Sequence, residues 1–167
     1  MHIPDGILPL PVTLAGYAAA IGVATLCVRR IRARPDPRAE VPRAALLSAA
    51  FFVASLVHVP LPPLSVHLTL NGLLGVVLGW FAFPAILVGL FLQAVMFGHG
   101  GLTTLGVNAI VLGLPALVGA ALFRLRPNGG PVIGFAVGAS AVALSVLLFA
   151  AILLLNLPAH LDADMER

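Results

Sequence analysis

A bundle of about six transmembrane α-helices is the fold the sequence predicts, and three observations predict it. The chain is 60% hydrophobic and only 9% charged, where soluble domains carry about 25% charged residues. Its apolar residues fall in runs close to the roughly 20 that a helix needs to cross about 30 Å of hydrocarbon. Between the runs stand clusters of proline, glycine and arginine, which end helices and mark water-facing loops. The expectation is an all-α integral membrane protein, with residues 1–167 forming one transmembrane domain and no length left for a soluble one.

The first span covers about Ile7 to Val28, entered through Leu8-Pro9-Leu10-Pro11. Arg29 to Arg43 is a polar loop interrupted by Pro35, Pro37 and Pro42. The second span runs from Ala44 to about Val59, before Pro60-Leu61-Pro62-Pro63-Leu64, which cannot continue a regular helix. A short, glycine-rich third span covers Leu68 to Pro84, and a fourth runs from about Ala82 to Phe97. Gly98-His99-Gly100-Gly101 breaks it. The fifth extends from about Thr103 to Phe123, and Asn128-Gly129-Gly130-Pro131 turns the chain. The sixth and longest is Val132 to Leu157, followed by the polar tail Asp162–Arg167. No basic stretch precedes the first span, so no cleavable signal peptide is expected and Met1 is taken as the mature first residue. Small residues recur four apart at Gly16, Ala20 and Ala24, at Gly75 and Gly79, and at Gly134 and Gly138. They predict close helix contacts, chiefly inside the bundle, with the first span the best candidate for a face toward another membrane subunit.

Charge sets the orientation. All nine basic residues are arginine. Six lie between Arg29 and Arg43, and Arg124 and Arg126 lie in the loop between spans five and six. These loops share one side, which the positive-inside rule makes cytoplasmic. Arginines beside apolar spans account for the sequence pI near 10.5 without a nucleic-acid partner. His2, His58, His67, His99 and His160 then all face outward, although none of them set the topology. Without lysine the chain has no P-loop, so it is not expected to hydrolyse ATP itself. The single Cys27 excludes an internal disulfide and a cysteine-built zinc site, and reads as a small buried hydrophobe. Paired carboxylates inside the membrane, a nucleophile with its base, and H-E-x-x-H are all missing from the sequence, so an enzyme is the least expected class.

The chemistry concentrates at the N-terminus. The Met1 amine, the His2 amide nitrogen and the His2 imidazole can close two fused rings around one ion. One more imidazole would complete four nitrogens, a donor set that suits Ni(II) or Cu(II) better than Zn(II), Mg(II) or Ca(II). The bland alternative for His2 is an exposed residue on a frayed terminus. His67 stands on the same side, with Asn71 one turn later on the helix face expected there; a lone histidine there is more often an interfacial residue than a ligand. Polar side chains at membrane depth are costly and default to functional hypotheses, which adds Asn71, Gln93, His99, Thr103, Thr104 and Asn108 to the histidines above. Gln93 and Asn108 could bond across helices or hold a terminal loop, and His99 sits among glycines whose backbone could be the reason for the block. His58 reads as structural and His160 as solvated. Asp5, between Pro4 and Gly6, forms a turn whose carboxylate can hold backbone N–H groups.

Three stretches, Met1-His2-Ile3-Pro4-Asp5-Gly6, Val66-His67-Leu68-Thr69 with Asn71-Gly72, and Gly100-Gly101-Leu102-Thr103-Thr104-Leu105-Gly106-Val107-Asn108, together resemble the CbiM/NikM family, the substrate-binding subunits of energy-coupling-factor cobalt and nickel transporters. The resemblance runs from Met1 to about Arg126. It implies a multi-pass subunit of a prokaryotic cell (inner) membrane that captures Co(II) or Ni(II) from outside, with the N-terminal segment folded into the outer face of the bundle. It implies as ligands the Met1 amine, the His2 backbone nitrogen and the imidazoles of His2 and His67, surrounded by Asn71, Gln93, His99 and Asn108. The implied partners are a transmembrane coupling subunit and two ATP-binding-cassette ATPases, which fits the missing P-loop. A seventh span is also implied, beyond Leu157-Pro158-Ala159-His160, where this sequence reaches only Arg167. The rival readings are a passive metal channel or secondary carrier without ATPase partners, and a structural subunit whose Met-His start is incidental.

Overall fold

The computed structural model describes the backbone of residues 2–61, 64–67, 69–125 and 130–165, and the side chains of 2–57, 69–125 and 130–156. In chain order the elements are α1 (Leu10–Arg32), α2 (Val41–Leu56), β1 (His58–Leu61), β2 (Leu64–His67), α3 (Asn71–Leu78), a 3-10 turn (Gly79–Phe81), α4 (Ala82–Phe97), α5 (Leu105–Arg124) and α6 (Gly130–Met165). Prolines sit in the first turns of α1 and α2, where the missing N–H has no helical partner to lose. The last turn of α1 carries Arg29, Arg30 and Arg32, which complement the negative end of the helix dipole. Gly98, at φ +61°, ends α4: its N–H reaches Ala94 O at 3.2 Å while the His99 N–H reaches Gln93 O at 3.2 Å. This is the double closure that glycine permits at a helix C-terminus.

Helix α5 is the hub, packed against α1, α3, α4 and α6. Its neighbours approach at backbone distance because the facing residues are small. A Cβ at Gly16 would overlap Val107, one at Gly75 the Ala116 carbonyl, one at Gly113 the Phe83 ring, and one at Gly72 the backbone of Gly138. Phe51, Leu74, Phe83, Ile86 and Leu112 fill the centre and are fully buried. The internal reading of the small-residue rows therefore holds for Gly16 and Gly75.

The contacts of α3 advance in step with those of α5: Asn71 bonds Leu112, Gly75 meets Ala116, and Gly79 meets Arg124. Helix α4 advances in step with α2, from Ser48 bonding Ala85 to Gln93 bonding Ser55. The chain therefore reverses at Gly79–Phe81, where Gly79 takes φ +59°.

This corrects the expected third span. With eight residues, α3 covers only roughly 12 Å, so it is half a crossing. Among the described residues, four segments are long and apolar enough to cross a membrane: Leu10–Arg32, Asn71–Phe97, Leu105–Arg124 and Gly130–Asn156, with Val41–Leu56 shorter. The second of these, Asn71–Phe97, contains the reversal. The physical reason is local: Gly79, at φ +59°, ends the helix inside the expected span. Ahead of it β1 and β2 pair as a hairpin, with His58 opposite His67 and Leu61 opposite Leu64, so the second span also stops short of Val59, at Leu56. The turn expected at Asn128-Gly129 lies outside the described residues. Helix α6 is longer than expected, reaching Met165.

The two ends differ in charge. At one, Arg34 pairs with Glu40, Arg30 lies 5.6 Å over Trp80 and Arg34 5.9 Å over Phe81. The α1–α2 loop, the α3–α4 turn and the end of α5 thus share the arginine-rich end. The N-terminal segment, the hairpin and residues 98–104 occupy the other.

Gly72→Val is expected to force α3 from α6 and lower the thermal midpoint in detergent, by the equivalent of about 1–3 kcal/mol of overpacking. Gly22→Ala, where a Cβ meets nothing within 4 Å, is the control and should leave the midpoint unchanged.

Candidate functional site

Residues 2–6 lie against the bundle, with Ile3 buried and Pro4, Asp5 and Gly6 exposed. Ile3 is fully buried and packs with Leu8, Val107 and Val111. An extended peptide in such surroundings needs partners for both of its polar groups. The Asn108 side chain supplies both: its Oδ1 accepts the Ile3 N–H at 2.9 Å, and its Nδ2 donates to the Ile3 carbonyl at 3.0 Å. One carboxamide thus plays the part of a neighbouring strand, and the pairing assigns its two ends without ambiguity. The Thr104 hydroxyl donates a further bond to the Ile3 carbonyl at 2.6 Å.

Two residues on, the Asp5 carboxylate clamps the loop before α5. Its Oδ1 accepts the Thr103 N–H at 2.9 Å and the Thr103 hydroxyl at 2.5 Å, and its Oδ2 accepts the Leu102 N–H at 3.2 Å. The Thr103 hydroxyl, helped by the backbone N–H groups and against partial desolvation, holds the Asp5 pKa below its ordinary 3.8. The glycines complete the mould. A Cβ at Gly101 would overlap the Asp5 carboxylate. Gly100 takes φ +76°, and a Cβ there would lie 3.1 Å from Asn108 Nδ2 and 3.4 Å from His2 Cβ. The Tyr17 hydroxyl donates to the Leu102 carbonyl from α1. The 100–108 block is therefore a cradle for the N-terminal hexapeptide, and it seats His2, half-buried, beside Gly100.

The other expected site residues divide. Met1 lies outside the described residues, as do the side chains of His58, His67 and His160. His67 is the last residue of β2 and Asn71 the first of α3, so the two do not share a helix face; the hairpin ends between them. Asn71 is fully buried, and its Nδ2 donates to Leu112 O at 3.2 Å and Ser145 Oγ at 2.8 Å. Leu112 lies one turn beyond Asn108, so Asn71 sits one turn deeper than the docked segment. Its Oδ1 has no hydrogen-bond partner among the described residues. Gln93 bonds Ser55, which in turn donates to Phe52 O at 2.7 Å; this ties α4 to α2. The His99 N–H closes the end of α4. Among the described residues no three His, Cys, Asp or Glu side chains gather. The sequence singled out Thr104 but not Ser55 or Ser145. A lone hydroxyl in an apolar run gives no signal until its acceptor is known.

Two outcomes follow. Asn108→Ala should strand the buried Ile3 peptide at a cost of about 1–3 kcal/mol, seen as fast amide exchange at Ile3 with the helices still protected. A carboxylate whose folded pKa is lowered stabilises above its unfolded pKa and loses that stabilisation as pH falls through the folded value. The docked segment should therefore hold above pH 3.8 and loosen below it. A spin label at Pro4→Cys, in a Cys27→Ser background, should gain mobility over that window, and at a higher pH once Thr103→Ala removes the hydroxyl.

Comparison with known proteins places this geometry among metal transporters. The family described as the cobalt uptake substrate-specific transmembrane region, CbiM, matches residues 2–165. A putative metal transport protein of Haemophilus influenzae is 44% identical over 126 residues, which are 75% of this chain and 59% of that one. The fused nickel transport protein NikMN of Rhodobacter capsulatus is 36% identical over 136 residues, 79% of this chain and 39% of its own. The cobalt transport protein CbiM of Sorangium cellulosum is 33% identical over 146 residues, 83% and 65% of the two. The chain thus spans less than two thirds of the length of these relatives. A crystal structure of a truncated transition metal transporter superposes with a TM-score of 0.83 at 29% identity, over 92% of this chain and 74% of that one.

Proposed function

The chain belongs to the CbiM family of cobalt uptake substrate-specific transmembrane regions, and on that premise we propose that it captures Co(II) or Ni(II) at its outward end through an N-terminal nitrogen chelate. One observation carries the proposal: Asn108 pins the Ile3 peptide, which seats the His2 residue beside it on the bundle instead of leaving it on a frayed end. The ligands are the Met1 amine, the His2 amide nitrogen, the His2 imidazole and the His67 imidazole. All four are neutral or anionic nitrogens when bound, the donor type these ions favour.

In this reading Asn108 acts by holding the chelating segment, and Asp5 by locking its far end. Asn71, one turn deeper and with an acceptor oxygen to spare, orients ligands or excludes water beneath the ion, the role of groups that tune a metal from behind its ligands. Gln93 and His99 act further out, through the helix tie and the closure of α4. The protein works as the substrate-specificity subunit of an energy-coupling-factor uptake system in a prokaryotic inner membrane. A transmembrane coupling subunit and two ATPases supply the ATP hydrolysis for which this sequence has no P-loop.

Binding must strip protons from the amine, whose ordinary pKa is about 7.7–8.0, and from the His2 amide. Lower pH returns those protons, so affinity should fall as pH drops below neutral. Titration with Ni(II) and with Co(II) tests the chelate directly. The native protein should bind one ion tightly, and His2→Ala, His67→Ala or a two-residue extension before Met1 should each abolish that binding. Equal affinity in the extended protein would sink the chelate. Uptake into liposomes without ATPase partners would instead favour a passive channel or secondary carrier.

A further inference from the structure

At the arginine-rich end, three guanidinium groups converge on the α3–α4 turn. We propose that this turn is a binding site for the phosphate of an anionic phospholipid, which clamps α1, the turn and α5 together. Gly79 has no side chain, and a Cβ built there would overlap Arg124 Nη2 and lie 3.7 Å from Arg34 Nη2. Two cationic nitrogens, one from the α1–α2 loop and one from the end of α5, therefore face one point on the backbone, near enough for a single phosphate to bridge them by charge-assisted bonds. Arg30 joins the cluster through its stack on Trp80, one residue beyond.

Charge bookkeeping at this end leaves an anion wanting. Glu40 pairs with Arg34 through Nη1, which leaves Nη2 turned to Gly79. Asp36 is engaged in its own turn, accepting the N–H groups of Arg38 and Ala39 at 3.2 and 3.3 Å. Arg30 and Arg124 have no carboxylate partner among the described residues. Guanidinium groups held close without counter-charge repel each other, and a phosphate converts that repulsion into attraction.

The occupant is a lipid because of what surrounds the charges. Beside Arg124 a recess of about 40 Å³ is lined by Gly79, Trp80, Leu117, Ala120 and Ala121. It is apolar apart from the arginine at its rim, the division an amphiphile has between headgroup and chain. Trp80 is half-buried there, as aromatic residues are at a membrane interface, and Leu122 and Leu125 stand exposed on α5 beside it. Arginines at the cytoplasmic leaflet meet a surface rich in anionic lipid.

The test compares thermal midpoints of the purified full chain in neutral detergent with added phosphatidylglycerol, phosphatidylcholine or inorganic phosphate. Phosphatidylglycerol should raise the midpoint above phosphatidylcholine. Arg124→Gln should lose at least half of that difference, while Arg38→Gln, the same charge change in the exposed loop, should keep it. Because the readout is a difference within each variant, a lower starting stability does not obscure it. Native mass spectrometry should show one phosphatidylglycerol retained by the parent protein and none by Arg124→Gln. Equal effects of the two lipids would overturn the site. So would the same gain from inorganic phosphate, which would mark a free-anion site, or equal loss in Arg38→Gln, which would mark diffuse attraction.

Discussion

A peptide group taken out of water must find a hydrogen-bond partner, and the end of this protein opposite the arginines is built around that demand. A helix meets it internally; an extended segment cannot. Residues 2–4 dock outside any helix before the turn at Asp5 and Gly6, and Asn108 answers for both polar groups of Ile3 at once. The other features of the site follow from this pairing. Thr104 shares the Ile3 carbonyl, Gly100 and Gly101 clear the space, and Asp5 fastens the segment where it turns away. The chelate proposed for His2 rests on this frame, because a metal ligand on a free terminus would lose conformational entropy that this segment has already lost on docking.

The frame in turn depends on α5, whose N-terminal residues bind the segment and whose middle meets α3 and α6. Small residues let these helices touch at the backbone. Asn71 links them where they meet, through Leu112 and Ser145. A half-length α3 is tolerable in a membrane because its open N-terminal end is buried among protein instead of facing lipid. The price in chain length is the hairpin, which brings His67 back toward the helices at the end of β2.

The opposite end follows a different rule. There charge, not hydrogen bonding of the backbone, organises the contacts, and guanidinium groups stack on Trp80 and Phe81 around the Gly79 reversal. The molecule is thus polarised, with a fitted peptide at one end and a concentration of positive charge at the other. This separation suits a subunit that would receive its ion on one side and answer to partners on the other.

Much of this was written in the sequence. Hydrophobic runs determined the membrane class, arginines which loops share an end, and the Met-His start with the Gly-Gly-Leu-Thr-Thr-Leu-Gly block the family. These are one-dimensional signals: hydropathy averages over a window, and charge counts need no contact. Asp5 was legible as a holder of backbone N–H groups, but not which ones, since Leu102 and Thr103 lie almost a hundred positions away. The half-length α3 was not legible, because a glycine inside an apolar run can continue a helix or, as Gly79 does at φ +59°, end one, and only the packing around it decides. Nor could sequence alone choose among Asn71, Gln93 and Asn108, three amides in apolar runs. Tertiary structure gave each a different task, since a carboxamide is defined by the donors and acceptors that packing brings within 3 Å of it.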